Sequence, residues 1–233
     1  METTLEVRWY IRGKPPATVQ RWFEFECPGK LLGLESRRDW YAYCQPNQLG
    51  EFAKFSNRAL NREEINLKLR QGNLELKLRQ QEFGIHRFSY LPNSHICGKT
   101  EQWCKFSQQE LKSNLLTGNL LNKFNWISVD KKREQKIERG VKSELTCLKI
   151  DKPSSMALLR ECWWTIAFEM ERNIHPRQQD NCFIEVVEKA CQTYCGPELL
   201  AVDSCGYSQW LLRFATRSIP AERLDLSDLS VNL

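Results

Sequence analysis

The run from Ile65 to Arg79 (INLKLRQGNLELKLR) constrains the fold more than any other stretch of the chain. Leu67 and Leu69 alternate with Lys68 and Arg70. Leu74, Leu76 and Leu78 alternate with Glu75, Lys77 and Arg79. Period two specifies strands, and the short Gln71-Gly72-Asn73 link between two such runs specifies a hairpin. Successive strand side chains point to opposite faces, so the leucines share one face and the charges share the other. Two arrangements satisfy that pattern. Either the charges face water on an amphipathic hairpin, or they line the inside of a barrel whose leucines lie under covering helices.

The same alternation recurs along the chain. In residues 4–12, Leu5, Val7, Trp9 and Ile11 take one face, and Thr4, Glu6, Arg8, Tyr10 and Arg12 take the other. Residues 17–26 read as a helix with Val19, Trp22, Phe23 and Phe25 on its apolar stripe, stopped by Pro28-Gly29. Arg37 to Cys44 reads as a strand with Arg37, Asp39, Tyr41 and Tyr43 on one face. Pro46 to Gly50 is a turn, and residues 51–63 are a loop or short helix. Phe83–Pro92 and Thr100–Phe106 are weaker strands, and Gln108–Leu121 is a short helix broken by Gly118. Trp126–Arg139 is a long strand with Val129, Lys131, Arg133 and Gln135 in line, and it turns at Gly140 into Ser143–Ile150. Asp151–Arg160 is a loop. In Cys162–Glu171, Trp164, Ile166, Phe168 and Met170 oppose Thr165, Ala167, Glu169 and Glu171. A helix over 182–194 and a turn with a short helix over Asp203–Phe214 follow, and residues 218–233 form a polar tail.

Composition narrows the function classes. The chain has 233 residues, 41% hydrophobic, and a net charge of +5 with both signs interspersed. That suits an anionic ligand without demanding nucleic acid. No stacking-aromatic RNA-binding motif or concentrated basic patch stands out, so nucleic acid is not an expected partner. No apolar run reaches the length of a membrane span. Glu2-Thr3-Thr4 is not a secretory start, so a cytoplasmic protein is expected, and its 10 cysteines read as free thiols. Cys191, Cys195 and Cys205 lack the tight pair or nearby histidine that would complete a zinc site. His86, His95 and His175 fall in no ligand or triad motif. The absence of a G-x-x-x-x-G-K-[ST] loop excludes a P-loop mechanism.

Strands that share an apolar face and a mixed Lys, Arg and Glu face make the barrel the more informative arrangement. About eight strands enclose a narrow interior. Basic residues clustered there repel one another unless an anion sits among them. Such a chain reads as a tunnel for a polyanion.

The order of these motifs resembles the CYTH superfamily, the triphosphate tunnel metalloenzymes. A charged first strand is followed by a helix, an R-x-D-x-Y strand, and then KLRQGNLELKLR. After these come V-x-K-x-R (Val129, Lys131, Arg133), S-E-L-T, F-E-M-E and a closing G-Y-S-Q-W-L. The resemblance spans roughly residues 4–214. It implies an α+β fold, an antiparallel eight-stranded closed β-barrel with helices packed outside, as one domain over 1–217 with a tail over 218–233. It also implies a phosphorylated small-molecule or polyphosphate ligand. Arg8, Lys68, Arg70, Lys77, Arg79, Lys131 and Arg133 are then the phosphate-binding candidates. Glu6, Glu169 and Glu171 are the catalytic and metal-binding candidates, holding Mg2+ or Mn2+. The family's first strand reads E-x-E-x-K. Here those positions are Thr4, Glu6 and Arg8, so one carboxylate is missing and an arginine replaces the lysine.

Three functions remain open. A metal held by Glu6, Glu169 and Glu171 polarises a terminal phosphate for attack by water, making a triphosphatase. Alternatively, the barrel keeps its basic lining and binds a phosphorylated ligand without catalysis, which the altered first strand favours. In the third, the protein is a scaffold whose Trp9, Trp163 and Trp164 are exposed contacts.

Overall fold

Every alternating segment becomes a strand. The computed structural model describes residues 2–89, 95–106, 109–111, 123–151, 160–172 and 176–215. The strands are β1 (Glu2–Arg12), β2 (Lys30–Tyr43), β3 (Ile65–Arg70), β4 (Asn73–Arg87), β5 (Cys97–Phe106), β6 (Asn125–Glu138), β7 (Val141–Asp151) and β8 (Arg160–Arg172). They form one closed barrel in the order β1-β5-β4-β3-β2-β6-β7-β8. All eight pairings are antiparallel. Closure comes from β1 and β8, paired from Thr3↔Arg172 to Arg12↔Trp163.

Two hairpin turns set the register. Arg70 pairs with Asn73, leaving Gln71 and Gly72 as a two-residue loop, one shorter than the link expected. Both loop residues have positive φ, +48° and +77°. Glu138 pairs with Val141 across Arg139 and Gly140, at +51° and +84°. Positive φ at both central positions matches the twist of the flanking strands, and glycine takes the second position without a Cβ clash.

The apolar faces point outward and are covered. Leu67, Leu69, Leu76 and Leu78 pack with Phe52, Phe124 and Trp126. Phe52 comes from a 3-10 segment, Pro46–Phe55, where a turn and an unassigned stretch were expected. Burying each leucine contributes about 1.5–3 kcal/mol. On the other side, Trp9, Trp164, Ile166 and Phe168 pack under α1 (Ala17–Arg21) and α2 (Pro176–Gln192), which bring Val19, Phe183, Val187 and Ala190. Trp9 and Trp164 are therefore core, and Trp163 is partly buried with its ring edge-on to Trp210 at 5.8 Å, so none of the three is the exposed contact that the scaffold reading needed.

Four expectations are corrected. The first helix is α-helical only to Arg21 and continues as a π-turn over Trp22–Glu26, closed by the Cys27 N–H on the Trp22 carbonyl at 2.8 Å. That extra residue per turn rotates Phe25 off the stripe, and it is 70% exposed. β2 starts at Lys30 rather than Arg37, and β4 runs unbroken to Arg87. Finally, α3 (Tyr207–Ala215) is not packed outside like the other helices but lies across one end of the barrel. Its Trp210 stacks on Tyr10 at 4.6 Å and its Tyr207 on Tyr41 at 5.0 Å. Both partners are inward-facing strand residues at that end, with Val129, Leu148 and Ile150.

All ten cysteines are free thiols. Among the described residues, no helix is long and apolar enough to cross a membrane. The loop expected between Asp151 and Arg160, the tail and most of the helix expected over Gln108–Leu121 lie outside the described residues.

Candidate functional site: the barrel interior

Strand parity carries the charged face of nearly every strand into one cavity of about 310 Å3. Among the described residues, its wall includes nine Lys or Arg side chains and six Glu. Of the ten residues expected at the site, Glu6, Arg8, Lys68, Arg70, Lys77, Lys131, Arg133, Glu169 and Glu171 line it. Arg79 does not. It is tied to Glu101 at 2.6 Å and Glu82 at 3.3 Å.

The deep end is floored by Tyr207, which α3 delivers. Lys131 Nζ sits 3.9 Å from its ring centroid and the Arg8 guanidinium 5.0 Å. Both are cation–π contacts. Burial raises the Tyr207 phenol, so it stays neutral and a donor. Its hydroxyl has no hydrogen-bond partner among the described residues, and neither does the Nε of Arg133. Two unsatisfied donors on residues of a polar cavity are capacity for an acceptor-rich ligand.

Above the floor, three carboxylates organise the bases. Asp39, with no exposed side-chain surface, takes Lys131 at 3.0 Å, Arg37 at 3.1 Å and Arg70 at 3.5 Å. Burial alone would raise its pKa, but Lys131, Lys68, Arg37 and Arg70 outweigh burial and hold it at about 2. Glu144 accepts from Arg8 at 2.8 Å and Arg133 at 3.3 Å, and these cations overcome burial to keep it well below the usual range. Glu75 pairs with Lys68 at 2.9 Å and Arg70 at 3.1 Å.

The bases outnumber these partners. Burial, reinforced by Arg70 and Lys131, pulls Lys68 down to about 7. Burial also pulls Lys131 down to about 7, despite the carboxylates of Asp39 and Glu144. A lysine in that range loses its proton readily and regains it beside an added negative charge.

The expected metal ligands are arranged differently. Glu6 and Glu169 stand directly opposite each other on β1 and β8. Lys77, reaching across from β4, donates to Glu6 Oε1 at 2.6 Å and Glu169 Oε1 at 3.2 Å. Burial works against its charge, but Glu169 and Glu6 outweigh burial and raise its pKa. Glu171 lies two residues further out, 54% exposed and paired with Lys142 at 3.3 Å. Thr4 is opposite it, where a carboxylate would have completed the set. Among the described residues, no group of three His, Cys, Asp or Glu side chains is placed to hold a metal ion. As they stand, these donors do not fit a divalent ion. Two share one ammonium, which fills the space between them, and the third faces solvent and a different lysine.

Several wall residues were not on the expected list. Arg37 and Tyr41 are legible by parity with Asp39 on the aromatic second strand. Lys105 and Lys142 lie near the mouth on β5 and β7, with only an alternation signal. Tyr207 falls in the closing G-Y-S-Q-W-L motif, but no alternation marks it as a wall residue, because only the docking of α3 brings it to the cavity.

No protein-family model and no curated protein sequence matches the chain. Among solved structures, it is similar to the PH1012 protein of Pyrococcus horikoshii OT3, with 14% identity and a TM-score of 0.39 over 88% of this chain and 98% of that one. A conserved hypothetical protein of Pyrococcus furiosus gives 12% and 0.38 over 88% and 98%. The Pct1 RNA triphosphatase of S. pombe gives 11% and 0.39 over 94% and 85%.

Proposed function

We propose that the barrel is a receptor for a short polyphosphorylated anion, which enters at the mouth near Lys105 and Lys142 and stops against Tyr207. The observation that carries this reading is the density of base on a largely shielded wall: nine Lys or Arg against six Glu in the lining, an excess that Asp39 behind Arg37, Arg70 and Lys131 and Glu35 beside Arg37 and Arg133 reduce but do not cancel. Packing that many cations into a low-dielectric cavity is unfavourable without a matching anion. Arginine and lysine together suit phosphate, arginine through its bidentate fork and lysine as a point charge. The solvated-face alternative for the hairpin does not apply, because Lys68 and Lys77 are largely shielded from water. The receptor reading is preferred to the triphosphatase reading because the three expected metal carboxylates do not converge.

The test is a thermal-shift and calorimetric titration with sodium tripolyphosphate. A ligand at a hundredfold its Kd adds about 2.7 kcal/mol, or roughly 5–10 °C in Tm for a chain of this size. The expected result is such a shift, lost in a Lys68→Met, Arg70→Met double variant that stays folded. A wild type that shows neither heat nor shift would sink the proposal. Metal-dependent release of phosphate, abolished by Glu169→Gln with Glu171→Gln, would make the protein an enzyme instead.

A further inference from the structure

The geometry points to Lys77 as a built-in cation that takes the place of a divalent metal between Glu6 and Glu169, so that the tunnel holds its anion without metal. This rests on the reading of the barrel as an anion receptor, and it adds how the site is charged.

Glu6 and Glu169 face each other across the β1–β8 seam, and one ammonium from β4, two strands round the barrel from β1, reaches both, at 2.6 and 3.2 Å. Two opposed carboxylates with one buried cation between them are the charge arrangement a metal site would have. An ammonium supplies three donors and one positive charge and already fills the position between the two carboxylates; a divalent ion held there would have to displace it and draw its remaining ligands from water or phosphate. The usual third carboxylate position holds Thr4, whose hydroxyl turns to Glu6 at 3.3 Å instead. Adding a dication to a wall where bases already outnumber acids raises the repulsion further. Lys77 therefore does two things. It offsets one of the two carboxylate charges that would otherwise repel an incoming phosphate, and it blocks the metal that would otherwise bind them.

The experiment has two arms on the full chain. In the first, Mn2+ is titrated and followed by its electron paramagnetic resonance signal. Wild type is expected to leave the signal of free Mn2+ unchanged. Lys77→Met, which strips the cation from between the two carboxylates, is expected to take up Mn2+. Lys77→Arg, which restores a positive charge, is expected to exclude it again. In the second arm, tripolyphosphate is titrated calorimetrically in EDTA. Wild type is expected to bind, and Lys77→Met to bind at least about tenfold more weakly. Stoichiometric Mn2+ uptake by the wild type, abolished by Glu169→Gln, overturns the inference. Binding of tripolyphosphate only when Mn2+ is added overturns it as well. If the folded wild type binds no tripolyphosphate in either condition, the receptor reading falls. The first arm, which needs no tripolyphosphate, then still decides whether Lys77 excludes the metal.

Discussion

At the scale of single residues, Asp39 is the side chain on which the interior most depends. One carboxylate with no solvent contact faces Arg37, Arg70 and Lys131 within 3.5 Å. Removing one partner from a buried charge network costs several kcal/mol, because the others are left uncompensated. Asp39→Asn is expected to lower stability by about 2–4 kcal/mol at pH 7, read from urea unfolding. The pH dependence follows from the direction of the shift. The folded pKa, about 2, lies below the unfolded value, so the contribution is complete above the unfolded pKa and disappears as pH falls through the folded one. The gap between wild type and Asp39→Asn should therefore close between pH 4 and pH 2. A gap that stays constant over that window would deny Asp39 this role. The sequence shows Asp39 sharing a face with Arg37 and Tyr41. It does not show that its other partners come from β3 and β6, because no local pattern encodes which strands pair on either side of β2.

At the scale of elements, the β3–β4 hairpin ties the core to the site. Its leucines and its charges are fixed by one register, and a slip of a single residue would exchange them. Leu76 is fully buried beneath Phe52, Phe124 and Trp126, whereas Leu34 on β2 is 62% exposed. Leu76→Ala is expected to cost about 2–5 kcal/mol in urea unfolding, from lost transfer energy and the cavity left behind. Leu34→Ala is expected to stay within about 0.5 kcal/mol of wild type. Equal effects would mean that the outer face of the hairpin is not core. The hairpin is legible in sequence because period two and a Gly-containing turn are local signals. The π-turn at the end of α1 is not, because an apolar stripe read at 3.6 residues per turn carries Phe25 to the wrong side. The extension of β2 back to Lys30 is hidden for a related reason. Its first residues are exposed on the strand, and only pairing with β6 makes them β.

At the scale of the whole molecule, ring closure turns eight half-polar strands into a shared electrostatic environment. Lys68 and Lys131 are pulled down to about 7 because closure buries them. An anion entering the cavity favours their charged forms, so binding takes up protons at and above pH 7. Affinity for tripolyphosphate is therefore expected to be higher at pH 6 than at pH 8.5. Calorimetry in buffers of different ionisation enthalpy should register net proton uptake at pH 7.5. Binding with no proton uptake would place the anion away from both lysines.

The sequence by itself determined which side chains share a face, because the strand repeat is a property of the backbone at each residue and needs no distant partner. Lys68, Lys77, Lys131 and Glu169 were recognisable as neighbours in orientation for that reason. Only the tertiary structure decided what they do to one another. Closure set Glu6 against Glu169, brought Lys77 between them and turned Arg79 aside to Glu101. Docking of α3 placed Tyr207 as the floor. These outcomes depend on distances between segments far apart in the chain, such as Glu6 and Glu169, which are 163 residues apart. Coulomb energy in a buried cavity varies steeply with those distances, and a linear pattern of residue types does not contain them.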